Sequence, residues 1–149
     1  GSTGLRFFSV YGPWGRPDMA YYIFTKKIFN NESIDIFGDG SSSRDMTYID
    51  DVISGIYELI EARSMSSSSH EIYNIGNSQT ITLIEMLRII ENKIDLKAKI
   101  NFLDQQIGDV DITFADSSKI SSLTSFTSKV SPDEGLKLFV EWYKKEAKI

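Results

Sequence analysis

At 149 residues the chain is about one domain long, and its 41% hydrophobic, 12% aromatic and 25% charged composition supplies a real core. A formal net charge of −5 gives no broad pull on nucleic acid, so an anionic ligand needs a local basic site. The absence of cysteine excludes disulfides and thiolate metal sites and is compatible with the cytoplasm, and no apolar run reaches the roughly 18 residues of a membrane span.

Gly1-Ser2 is read as a tag remnant. Leu5–Tyr11 then reads as a strand, ending in a Gly-Pro turn. Pro17 and Asp18 suit the first turn of a helix, with Ala20, Ile23, Phe24 and Ile28 behind them at helical spacing. Ile34–Phe37 is a short strand. Gly38-Asp39-Gly40 reads as a turn, because serines rather than a helix follow it. Asp50 is expected to cap a helix whose apolar face is Val52, Ile56, Leu59 and Ile60. Capping and dipole pairing explain Asp50-Asp51 more simply than acid/base work does. Ser64–Ser69 is a polar loop, and His70, the one histidine, is a solvated bystander after it. Ile72–Ile75 is a strand closed by Gly76-Asn77.

Two further helices carry clear start signals. Thr82 and Glu85 form a capping box ahead of Leu83, Met86, Leu87, Ile90 and Ile94. Ser131-Pro132-Asp133-Glu134 opens another, with Leu136, Phe139, Val140 and Tyr143 as its stripe. Between them lie a strand at Lys99–Leu103 and a short helix near Ser117–Leu123. Strands alternating with helices make the class α/β. No repeat or internal linker divides the chain, so residues 1–149 read as one portion.

Little of this is catalytic by itself. A single histidine leaves no convincing Ser-His-Asp triad. Tyr22 and Lys26 have the Y-x-x-x-K spacing and share a helix face, but no dinucleotide-binding unit precedes them. Arg6, Arg16 and Arg44 fall in the first third, which fits a local anion site.

Several segments, in order, carry a resemblance. Thr3–Ala20 includes G-P-W-G-R-P-D-M-A, and Arg44–Asp51 reads R-D-M-T-Y-I-D-D. Tyr73–Asn77 (Y-N-I-G-N), Gly108–Val110 (G-D-V), Ala115–Lys119 (A-D-S-S-K) and a C-terminal F-V-E-W-Y follow. Together they resemble the NAD-dependent sugar-nucleotide epimerase/dehydratase family of extended short-chain dehydrogenases, most of all its UDP-glucuronate 4-epimerase branch. The resemblance implies a C-terminal, substrate-binding half with the last strands of a Rossmann-type sheet. The family's NAD loop and catalytic Tyr and Lys lie upstream of the strand matched by Leu5–Tyr11, outside this chain. Tyr22 and Lys26 fall on a later helix.

The resemblance implies that Arg44 contacts a diphosphate, Asp109 a ribose, and Ser9 with Arg16 a sugar carboxylate, while Phe37 lies beside a uracil. An ordinary ion pair with Asp45 or Asp50 is the plainer role for Arg44, and a turn or cap role for Asp109. Strand packing is the plainer role for Ser9 and Phe37, and a solvated loop cation for Arg16. Relatives often have proline where this chain has Ile107, which loosens the expected loop. The implied partner is a UDP-sugar, with NAD a cofactor of the full-length enzyme only. The chain alone is expected to bind no NAD, to lack turnover, and to self-associate or pair with the missing half. The alternatives are a non-catalytic sugar-nucleotide-binding or interaction module, and a dehydratase fragment.

Overall fold

A computed structural model describes residues 1–64 and 69–148. In chain order the elements are β1 (Ser2–Phe7), β2 (Ser9–Tyr11), α1 (Ala20–Phe29), β3 (Ser33–Phe37), β4 (Ser43–Tyr48) and α2 (Ile49–Ser64), then β5 (His70–Ile75), β6 (Thr80–Thr82), α3 (Leu83–Ile94), β7 (Lys99–Leu103), α4 (Ser118–Leu123) and α5 (Pro132–Glu146). The α/β class is as expected. Among the described residues, β1 pairs with β5 and β3 with β7, both parallel, while β4 lies between parallel β2 and antiparallel β6.

The strand expected over Leu5–Tyr11 is two strands. The β1 ladder ends at Phe7 opposite Ile75, and the next begins at Ser9 opposite Met46. The chain changes partner at Phe8, whose N–H reaches the Ile75 carbonyl at 3.4 Å. Ser2 belongs to β1 and pairs with His70. The histidine is thus the exposed first residue of β5, with Ser2 Oγ 2.6 Å from its Nδ1.

Helix α1 starts at Ala20, two residues after Asp18, because Asp18 is engaged by Arg16 rather than by helix N–H groups. Its buried face is Tyr21, Phe24, Thr25 and Ile28, a quarter turn from the expected one. Helix α2 starts at Ile49, so Asp50 lies in its first turn rather than capping it, and Asp51 takes the first-turn place expected of it. Val52 and Leu59 are buried as expected and Ile56 partly so, but Ile60 is exposed. Most of the expected serine loop, residues 65–68, lies outside the described residues. Strands β4 and β6 were not expected at all.

The capping box of α3 is present, with Thr82 Oγ1 accepting from the Glu85 N–H and the Glu85 carboxylate accepting from the Thr82 N–H. Ser131 caps α5 through the Glu134 N–H, and all four expected stripe residues are buried. Two apolar clusters result. Tyr21, Phe24, Ile90, Leu136 and Phe139 join α1, α3 and α5, while Val52, Leu59, Tyr73, Ile75 and Ile120 join α2, α4 and β5.

The segment between α4 and α5 has no strand or helix of its own and is anchored by Asp51. This buried carboxylate accepts from Ser128 Oγ at 2.8 Å and from the Lys129 and Val130 N–H groups at 3.0 Å each. All three donors reach the one oxygen Oδ2, so Asp51→Ala, which removes it, leaves them without their acceptor. The variant should lose about 2–3 kcal/mol, read as a lower urea midpoint at unchanged slope; an unchanged midpoint would show that the anchor carries no stability.

Candidate functional site

Strand β4 organises the site. Side chains alternate across a strand, so Arg44 and Met46 share one face while Ser43, Asp45 and Thr47 share the other. One edge of β4 pairs with β6 through Arg44 and Ile81. The other edge is occupied by two separate segments. Its C-terminal half pairs with β2 from Ser9 to Tyr11, and its N-terminal half bonds residues 111–113. There the Ser43 N–H reaches the Asp111 carbonyl at 2.8 Å, the Thr113 N–H the Ser43 carbonyl at 3.1 Å, and the Asp45 N–H the Thr113 carbonyl at 3.0 Å.

Where these two segments approach one another a cavity of about 480 Å³ opens, lined by Phe7, Phe8, Ser9, Val10, Arg16, Met19 and Thr113. Ser9 and Arg16 therefore share one wall. Ser9 also lines, with Arg44, Met19, Met46, Tyr21 and Met86 among others, a small apolar cavity of about 50 Å³. Burial pushes the Tyr21 phenol up to about 12, so it stays protonated at neutral pH and serves as no base.

Arg16 is largely exposed and presents its fork to Asp18, with Nε to Oδ1 at 3.1 Å and Nη2 to Oδ2 at 2.5 Å. The guanidinium holds the Asp18 carboxyl below its ordinary range, and Asp18 in turn raises Arg16. The geometry is the bidentate carboxylate recognition at which arginine excels.

Arg44 pairs with neither Asp45 nor Asp50. Its Nη2 donates to Asp109 Oδ1 at 2.7 Å, and its Nη1 donates to the carbonyls of Ser43 at 3.0 Å and Asp111 at 3.4 Å. The structure thus joins Arg44 and Asp109 directly, partly open to solvent. The loop holding Asp109 closes although proline is missing. The Asp109 N–H bonds the Gln106 carbonyl at 3.2 Å, with Ile107 and Gly108 between, and Gly108 has φ +90°. That is a type II pattern, which needs positive φ at its third residue and only favours proline at its second. Phe37 stands elsewhere, closing β3 opposite Leu103. It is more than a third exposed and adjoins Gly38, which lines a second open cavity of about 580 Å³ with Phe102 and Gln105.

Sequence reasoning missed Met19 and Thr113 on the main cavity. Neither residue type signals a site, and Thr113 arrives there only through long-range pairing with β4. It also missed Asp45, treated only as a possible partner of Arg44. That carboxylate is fully buried and accepts from the N–H groups of Asn77 at 2.8 Å, Ser78 at 2.9 Å and Ala115 at 3.0 Å. Tyr22 lies among the rings of Phe139, Trp142 and Tyr143 in the helical core, away from this cavity.

The α/β chain thus sets Ser9, Arg16, Arg44 and Asp109 around strand β4 and its edges. Comparison with known proteins makes the class specific. Residues 2–76 match the NAD dependent epimerase/dehydratase family, and the chain belongs to that family. It is 38% identical over 156 residues to the protein CapI of Staphylococcus aureus, covering 95% of this chain and 47% of that one. It is 39% identical over 154 residues to UDP-glucuronate 4-epimerase 4 of Arabidopsis thaliana, covering 95% of this chain and 35% of that one. Among solved structures, the UDP-glucuronic acid 4-epimerase of Bacillus cereus in complex with UDP-glucuronic acid and NAD superposes with TM-score 0.87 at 34% identity, over 95% of this chain and 45% of that one. The chain spans less than half the length of these relatives and aligns with their C-terminal part.

The turn before Asp109 gives a direct check on the loop. Gly108→Ala should cost about 1 kcal/mol, since its φ is positive while nothing crowds a new Cβ. Ile107→Pro should stabilise by about 0.5–1 kcal/mol through the unfolded state. Thermal unfolding that moves both variants the same way would contradict the assigned turn.

Proposed function

We propose that this chain is the UDP-sugar-binding portion of an NAD-dependent 4-epimerase whose substrate is UDP-glucuronate, and that it turns over only together with an NAD-binding half. The observation that carries the reading is the shared wall of Ser9 and Arg16 beside the Arg44–Asp109 pair. In this reading Arg44 takes the diphosphate, because a permanently charged fork suits phosphate oxygens. Asp109 accepts from the ribose hydroxyls, and Phe37 packs on the uracil. Arg16 exchanges Asp18 for the sugar carboxylate, to which Ser9 adds a hydroxyl donor.

Among the described residues, neither glycine-bearing turn fits the pyrophosphate of a dinucleotide. Gly38 and Gly40 link two strands, not a strand to a helix. The Gly12–Gly15 turn lies well before α1, and the Tyr21 hydroxyl fills the space where a side chain at Gly15 would sit. Neither presents a helix N-terminus to a pyrophosphate. Hydride transfer at the sugar C4 therefore belongs to the other half, and the work of this portion is to bind and orient. Holding the substrate at its diphosphate leaves the sugar able to present either face. No helix among the described residues is long and apolar enough to cross a membrane; a cytoplasmic location belongs to the same reading.

Titrating UDP, UDP-glucose and UDP-glucuronate calorimetrically into the chain and two variants tests it. Arg44→Ala should weaken all three by roughly 1.5–3 kcal/mol, the worth of a charge-assisted hydrogen bond. Arg16→Ala should weaken UDP-glucuronate alone. Equal losses on both sugars would give Arg16 a structural role, and no binding of any nucleotide by the unaltered chain would refute the proposal that it binds by itself.

A further inference from the structure

The loop that carries Arg16 holds a carboxylate of its own. Asp18 fills the guanidinium fork on its Nε–Nη2 side, at 3.1 and 2.5 Å. The pairing is local. The Met19 N–H donates to the Arg16 carbonyl at 3.2 Å, which closes a turn with Pro17 in its second place. Proline fixes its own φ there, so little backbone freedom is lost when the two side chains meet. Arg16 lines the main cavity with Ser9, whereas Asp18 lies outside that lining. The start of α1, next to Asp18, is uncapped: its N-cap is Met19, which makes no side-chain cap, and its first turn has no acidic residue.

We infer that Asp18 is a specificity-determining residue, a carboxylate that occupies the Arg16 fork until the carboxylate of the sugar displaces it. The inference rests on the UDP-glucuronate reading above and adds to it a residue that acts through Arg16. A sugar without a carboxylate leaves the Arg16–Asp18 pair intact. A sugar with one has to exchange partners, so Asp18 weakens the binding of UDP-glucuronate and leaves that of UDP-glucose alone. The guanidinium has further N–H donors on Nη1, but two carboxylates on one cation leave a net negative charge beside the diphosphate. Exchange is therefore favoured over sharing. The displaced carboxylate is compensated in part, since negative charge is favoured at the uncapped start of α1. Both ions are exposed, and a pair of this kind is weak, so the exchange is worth about two- to fivefold in affinity.

The test is calorimetric titration of UDP, UDP-glucose and UDP-glucuronate into the unaltered chain, Asp18→Asn, Arg16→Ala and the double variant. Asp18→Asn should bind UDP-glucuronate about two- to fivefold more tightly and the other two ligands as before. In the Arg16→Ala background the same substitution should change nothing, because Asp18 acts through Arg16. UDP-glucuronate affinity that is unchanged or weaker in Asp18→Asn overturns the inference, and means that the sugar carboxylate takes the free edge of Arg16 or does not reach it. An equal gain on all three ligands overturns it too, since that is the effect of removing any nearby negative charge. So does a gain that persists without Arg16. If Arg16→Ala weakens both sugars equally, the underlying reading fails; if it weakens UDP-glucuronate alone while Asp18→Asn has no effect, only this inference fails. No binding of UDP-glucuronate by any of the four proteins overturns both.

Discussion

The carboxylate of Asp45 is the point on which three distant stretches converge. Fully buried, it accepts the N–H groups of Asn77 and Ser78, just beyond β5, and of Ala115, just before α4. Without it those donors would be orphaned in the interior, at about 1–3 kcal/mol each. The approach is so close that a side chain at Gly76 would sit 2.2 Å from the Ala115 Cβ. Glycine there is a condition of the clamp.

The clamp also builds the site. By holding Ala115, it sets residues 111–113 along the edge of β4, where Thr113 Oγ1 lies 3.1 Å from the Asp45 N–H. The turn that carries Asp109 is thereby delivered to Arg44, the residue next to Asp45 on the opposite face. The alternation of a single strand thus assigns one of two adjacent charged residues to the fold and the other to the ligand side. The gap left on the same edge, between residue 113 and Ser9, is the cavity that Arg16 overlooks.

What could be read from the sequence follows the range of the forces involved. The starts and stripes of α3 and α5 were legible because capping and helical periodicity are local. Strand β4 was not, because it is a central strand buried on both faces, and S-R-D-M-T-Y shows no alternation of polarity. Helix α1 was placed early because Asp18, a fit first-turn residue by type, is taken by Arg16. Ile60 was assigned to the core because the stripe was read wider than the face that α2 buries. The residues of the site were named through family resemblance, but their arrangement was not legible. Arg44 and Asp109 are 65 positions apart, and only the fold shows that they bond each other. Likewise Ile107 sits where the turn favours proline rather than requires it, so the loop keeps its shape without it.

The central claim is that residues from β2, the Gly12–Arg16 loop, β4 and the Asp109 turn form one binding site for a UDP-sugar. The most direct measurement is backbone and arginine side-chain NMR of the isotopically labelled chain during addition of UDP-glucuronate. The account predicts saturable shifts that cluster at Ser9, Arg16, Arg44 and Asp109 and titrate with one dissociation constant. Shifts confined to other surfaces, or different constants at Arg16 and Arg44, would contradict it.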